Sequence, residues 1–147
     1  MKIKNEYPPN IELIRRRFTL HKDVVFTYGD TLYVPNGASS IPTDLLIHEE
    51  THERQQKEFG VDEWWSYYFV SDGFRTAMEI EAYQNQYNYM RVKIKDRNKL
   101  NLYLHRLAND LSSAIYGNVL SLAEARKAIQ SSKVDFDFSS FKKQVAK

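Results

Sequence analysis

The sequence predicts an α+β fold, with a small N-terminal antiparallel sheet followed by a helical remainder. Three observations carry this. Val24–Tyr28 and Thr31–Val34 are rich in β-branched and aromatic residues, with the turn pair Gly29-Asp30 between them. Beyond Pro42, apolar residues recur at helical spacing. Helix punctuation recurs there too, at Gly60, at Gly117 and in the Ser121…Glu124 capping pattern. A chain of 147 residues fits a single domain, 1–147, able to bury about 70% of its unfolded surface.

In chain order, Ile11–Leu20 reads as a first strand around the charged run Arg15-Arg16-Arg17. Val24–Tyr28 and Thr31–Val34 form a hairpin, and Pro35-Asn36-Gly37 breaks the pattern. A helix follows from Pro42 or Thr43 to Phe59. Ser40 or Thr43 suits its cap, Asp44 its first turn and Gly60 its stop. An aromatic bridge, Asp62–Asp72, holds Trp64, Trp65, Tyr67, Tyr68 and Phe69; a hydrophobic cap over the core is the preferred reading, and a substrate-facing lid the alternative. A second long helix runs over Asp72–Ile94 and a third over Leu100–Tyr116. A short one ends at Gln130, and the tail beyond Ser131 is polar and expected to be loosely held.

Composition narrows the function classes. Apolar residues make up 42% and charged residues 27%, an ordinary globular balance. A formal net charge of +2 gives no electrostatic reason to expect nucleic acid or an anionic membrane as partner. With no cysteine, disulfides, thiolate metal sites and cysteine nucleophiles are excluded. No apolar stretch approaches the ~18 residues of a membrane span. Met1–Asn10 has no apolar signal region, so a cytoplasmic protein is expected, with packaging in a phage particle compatible.

The chemistry concentrates in His48-Glu49-Glu50-Thr51-His52. Residues four apart on a helix share a face, about 6 Å apart along the axis. Two imidazoles so placed can reach one metal ion at about 2.0–2.1 Å. Glu49, beside His48, can take a proton from a water activated by that ion. Glu50 lies about 200° from His48, faces away, and is expected to pair with Arg54 one turn on.

A catalytic zinc needs a third protein ligand. His21 and His105 lie in no metal-like local pattern. Met78-Glu79-Ile80-Glu81-Ala82-Tyr83 is the better source, on a helix that can turn back against the first. Glu79 and Glu81 point about 200° apart, so only one can ligate. Glu79 is preferred, because Ala82 one turn on allows close helix approach.

The pair H-E-x-x-H and E-x-x-A resembles the gluzincin zinc metallopeptidases, in particular the minimal minigluzincin type. Ile41–Arg91 as a whole is similar to small uncharacterised metallopeptidase-like proteins of phages and bacteria. The resemblance implies a zincin-like fold and zinc held by His48, His52 and Glu79. It also implies Glu49 as general base, and a peptide or protein substrate. The family often has Asp after E-x-x-A, hydrogen-bonded to a ligand histidine; Tyr83 stands there instead.

Peptide hydrolysis also needs an oxyanion donor, for which Tyr67, Tyr68, Tyr83 and Arg75 are candidates. Zincins commonly seat substrate along an edge strand, and Thr31–Val34 is the nearest in sequence. Arg15–Arg17 reads as a solvated face. Leu111–Ile129 vaguely resembles a helix-turn-helix, but Asp110 and Glu124 offset Arg126 and Lys127, so helix packing is the better reading. Two rival readings remain: a catalytically inactive zinc-binding interaction module, and a nucleic-acid-binding regulator.

Overall fold

The structure is a computed structural model that describes residues 1–37 and 40–144. The last three residues of the expected loose tail lie outside the described residues. The architecture is α+β, with a three-stranded sheet and six α-helices among the described residues. The strands are β1 (Lys2–Lys4), β2 (Phe26–Tyr28) and β3 (Thr31–Tyr33). The helices are α1 (Ile11–Arg17), α2 (Thr43–Phe59), α3 (Val61–Val70), α4 (Asp72–Arg91), α5 (Arg97–Leu111) and α6 (Leu122–Gln130).

The expected hairpin forms, with Phe26 opposite Tyr33 and Tyr28 opposite Thr31. The sheet is nevertheless mixed, not antiparallel. β3 is its centre, and β1 joins in parallel register, Lys2 to Thr31 and Lys4 to Tyr33. The expected strand at Ile11–Leu20 is wrong: Ile11–Arg17 is helical. Ile11, Ile14 and Phe18 recur at helical spacing and face the core. Arg15 pairs with Glu12 one turn back at 2.9 Å. Three arginines in the last turn complement the negative end of the helix dipole.

At α2, neither Ser40 nor Thr43 supplies a cap; Pro42 occupies the cap position and makes no side-chain bond. Gly60 stops the helix as expected. Its φ of 95° is open chiefly to glycine, and it lets α3 start at once. The aromatic bridge is thus a helix, whose Trp64, Trp65 and Tyr68 are buried in the core. α5 stops at Leu111, short of Tyr116. The Ser112 and Ser113 hydroxyls donate back to the carbonyls of Asn109 and Asp110, competing with the helical ladder. A single 3-10 turn, Ala114–Tyr116, follows. The capping box of α6 forms as expected, with both Ser121–Glu124 bonds present.

The tail is not loose. Val134, Phe136, Phe138 and Phe141 pack against the core, and the Gln144 amide donates to the Glu58 carbonyl at 2.7 Å. Two apolar clusters result. One joins α1, the sheet, α3 and the tail around Phe59, Trp64 and Phe74; the other joins α4, α5 and α6 around Leu104, Leu107 and Ile129. α2 packs chiefly against α4, in the seam between the clusters. No described helix is long and apolar enough to cross a membrane.

Candidate metal centre

α2 turns an unusual face inward. It buries His48, Glu49, His52, Gln55 and Gln56, while Leu45, Leu46 and Ile47 are only half-buried. Polar groups removed from water need partners, so each of these side chains should be hydrogen-bonded or charge-paired.

His48 and His52 project one turn apart towards α4, which contributes Glu79. His48 Nε2 lies 3.1 Å from Glu79 Oε1, and His52 Nε2 lies 3.2 Å from Oε2. The three side chains are 4%, 5% and 3% exposed, and one ligand atom from each lies within 4.8 Å of the others. Two donors about 2.1 Å from one tetrahedral ion sit about 3.4 Å apart. The observed spacings are close to that, so the cluster could hold a metal ion.

The imidazoles are aimed by two glutamines. His48 Nδ1 is 3.0 Å from Gln86 Oε1, and Gln86 Nε2 donates to Asp44 Oδ2 at 3.0 Å. His52 Nδ1 is 2.9 Å from Gln55 Oε1, and Gln55 Nε2 donates to Glu81 Oε1 at 2.8 Å and to the Met78 carbonyl at 3.1 Å. Each amide's NH2 thus faces only acceptors, so its oxygen must face the ring, and each Nδ1 is the donor. Both Nε2 atoms then turn towards a carboxylate. Two imidazole lone pairs and an anion converging on one point are stable only with a cation, a proton or a metal, between them.

In the metal-free protein a proton serves. Burial works against charge on His52, but the Glu79 carboxylate outweighs it and pushes His52 up to about 9. Burial likewise opposes charge on Glu79, yet the His52 charge and the close approach of both imidazoles hold it well below the usual carboxylate range. The Tyr68 hydroxyl donates to Glu79 Oε2 at 2.7 Å. Burial, then the Glu79 charge, keeps that phenol well above its ordinary value, so it remains a donor.

Glu49 is 7% exposed and sits beside the cluster. Its Oε2 accepts from Thr27 Oγ1, on β2, at 2.7 Å. Both residues line a cavity of about 110 Å³ that also reaches His48, His52 and Glu79. Its apolar wall includes Phe18, Leu20, Val24, Phe26, Trp65 and Ile115.

Other expected residues lie elsewhere. Glu81 turns away to Arg54 at 2.7 Å, so of the two glutamates Glu79 joins the histidines. Arg54 also pairs with Glu58 at 2.9 Å, and these two carboxylates replace the expected Glu50 partner; Glu50 is exposed. Tyr83 packs its ring edgewise on His48 at 4.5 Å and bonds the Tyr116 hydroxyl at 3.1 Å, so it makes no hydrogen bond to a ligand histidine. The Tyr67 hydroxyl points to the tail, 3.4 Å from the Lys142 amide. Arg75 is fully buried behind Tyr68, donating to its carbonyl at 2.6 Å, and Tyr68 alone of the four oxyanion candidates lines the cavity. Thr31–Tyr33 is the central strand, so β2 is the edge on the α2 side. Part of that edge is already used: Gln56 bonds the Thr27 carbonyl and the Gly29 amide, both at 2.8 Å.

Sequence reasoning missed Gln55, Gln86 and Thr27. A signal existed for the glutamines: Gln55 follows His48, and Gln86 follows Glu79, at i, i+7, on the ligand faces. Nothing local marks Thr27. Comparison with known proteins finds no matching family model, no similar curated protein and no similar solved structure.

Proposed function

We propose that this chain is a small zinc-dependent metallopeptidase of gluzincin type. The observation that carries the reading is the buried convergence of His48, His52 and Glu79 with Glu49 beside it on one cavity wall. Two imidazoles and one carboxylate suit zinc and leave a coordination position free. Zinc held there supplies a Lewis acid and makes a water nucleophilic near neutral pH.

The remaining steps belong to the chain's own residues. Glu49 takes the proton from the attacking water and hands it to the leaving nitrogen. Thr27 holds one Glu49 oxygen, leaving the other for that proton. Tyr68 and the two glutamines keep the ligands oriented. The free part of the β2 edge, before the stretch bonded by Gln56, offers backbone groups to an extended peptide.

The test is metal content together with hydrolysis of a mixed peptide library. Wild type should carry about one zinc, and His48→Ala close to none. Glu49→Gln should keep the zinc and lose about 10²–10⁴-fold in rate. A metal content near zero in wild type sinks the site; equal rates for wild type and Glu49→Gln sink the mechanism.

One observation favours a second reading, a zinc module without catalysis. The groups that would meet a substrate are almost out of reach: His48, Glu49, His52 and Glu79 are 4%, 7%, 5% and 3% exposed. Stoichiometric zinc with no hydrolysis across the library selects this reading.

A further inference from the structure

Both ligand histidines are held in the same manner, by unrelated stretches of chain. His48 leads to Gln86 on α4, then to Asp44 at the start of α2. His52 leads to Gln55 on its own helix, then to Glu81 on α4. Each relay runs imidazole, carboxamide, carboxylate. Each terminal carboxylate has further partners: Asp44 accepts from the Tyr103 hydroxyl at 2.8 Å and lies 3.9 Å from Arg106, and Glu81 pairs with Arg54 at 2.7 Å.

We infer that Gln55 and Gln86 are paired positioning residues, which fix the Nδ1–H tautomer and ring direction of His52 and His48 so that both Nε2 atoms face the ion. The inference rests on the metal site proposed above. The chemistry explains why the residues are amides. A carboxylate in place of either glutamine would accept equally well from Nδ1–H. It would also face Asp44 or Glu81, anion against anion, in a buried place. An amide accepts on one side and donates on the other, so it joins a donor ring to a terminal carboxylate without a clash. An apolar replacement would strand a buried Nδ1–H, and the ring could recover a partner by moving its proton to Nε2, where it blocks the metal.

The relay has a direction, and reversing it is the test. Zinc affinity is measured by competition with a chromophoric chelator. Gln86→Leu and Gln55→Leu should each lose about 10–100-fold in zinc affinity. Gln84→Leu is the control. Gln84 is equally buried and donates to the Ala128 and Lys133 carbonyls at 2.9 Å, so its loss should lower stability and leave zinc affinity within about twofold.

Gln86→Glu alone should weaken zinc, because two carboxylates then meet. Gln86→Glu with Asp44→Asn turns the relay round, the new amide donating to the new carboxylate, and should restore affinity to within about threefold of wild type. This double variant keeps side-chain volume and hydrogen-bond count, so it decides the matter even if the leucine variants do not fold. Affinity in Gln86→Leu no lower than in Gln84→Leu, or a double variant no better than Gln86→Glu, overturns the relay. A wild type that binds no zinc overturns the site itself, and the relay with it.

Discussion

Raising the pH should tighten zinc binding while it weakens the metal-free fold. In the metal-free protein, burial works against a charged His52, but Glu79 outweighs it and pushes His52 up to about 9. A raised folded-state value means that the charged form is favoured by folding. The stability it contributes is fully present below the unfolded value of about 6.5, and it is lost as pH rises through about 9. A metal needs the opposite state, a free lone pair on Nε2. At pH 7, below about 9, His52 is mostly protonated, so zinc must displace the proton. Apparent affinity should then climb about tenfold, or about 1.4 kcal/mol, for each pH unit up to about 9. Calorimetric titration at pH 7 in buffers of different ionisation enthalpy counts the protons released, and at least one is expected. In Glu79→Gln the anion is gone, so both the proton release at pH 7 and the affinity should drop. Stoichiometric zinc binding at pH 7 with no proton released would refute the charge arrangement.

Three further outcomes follow from particular contacts. Thr27→Val removes the 2.7 Å donor to Glu49 at almost constant shape; hydrolysis should fall about tenfold or more with zinc affinity unchanged, and Thr27→Ser should restore the rate. Gly60→Ala forces a Cβ onto a backbone at φ 95° and towards the Glu63 carboxylate, and should cost about 1–3 kcal/mol in thermal unfolding, whereas a change within 0.5 kcal/mol would deny the strain. Phe138→Ala removes a ring 6.1 Å from Phe59 and 6.3 Å from Phe74, and urea unfolding should show a loss of roughly 1–3 kcal/mol. A tail that played no part in the core would show almost none.

The helix that carries the histidine pair was legible because its signal is local. His48 and His52 one turn apart on a periodic segment fix a shared face whatever the rest of the fold does. Glu79 needed only a turnaround and a small neighbour, Ala82. The failures have separate physical causes. β1 is short and exposed, and its parallel partner lies far along the chain, so Lys2-Ile3-Lys4 carries no pattern of its own. In α1, isoleucines at Ile11 and Ile14 raised β propensity, and tertiary burial of Ile14 overrode it. In α3, apolar residues on nearly every side erase the difference between a helical period and none. The tail did carry a signal: Val134, Phe136 and Phe138 alternate with aspartates, the mark of a half-buried extended segment. Its charge hid that.

The glutamines show a deeper limit. Hydropathy places Gln55, Gln56 and Gln86 on a surface, yet all three are buried, so α2 breaks the local rule for an inward helix face. Its hydrogen bonds are largely satisfied by the relays, by Thr27 and by Tyr68. What stays unbalanced is charge: two imidazole lone pairs and the Glu79 anion meet at one point. A proton on His52 balances it below about pH 9, and a divalent ion that displaces that proton would balance it in its place. Zinc at a hundredfold excess over its Kd would add about 2.7 kcal/mol to stability, a large part of the 5–15 kcal/mol typical of a domain. A helix whose inner face is polar in this way is therefore expected to be the first to open when the metal is withdrawn. Amide exchange across α2 and α4, with and without chelator, would show it as lost protection there while α5 and α6 keep theirs.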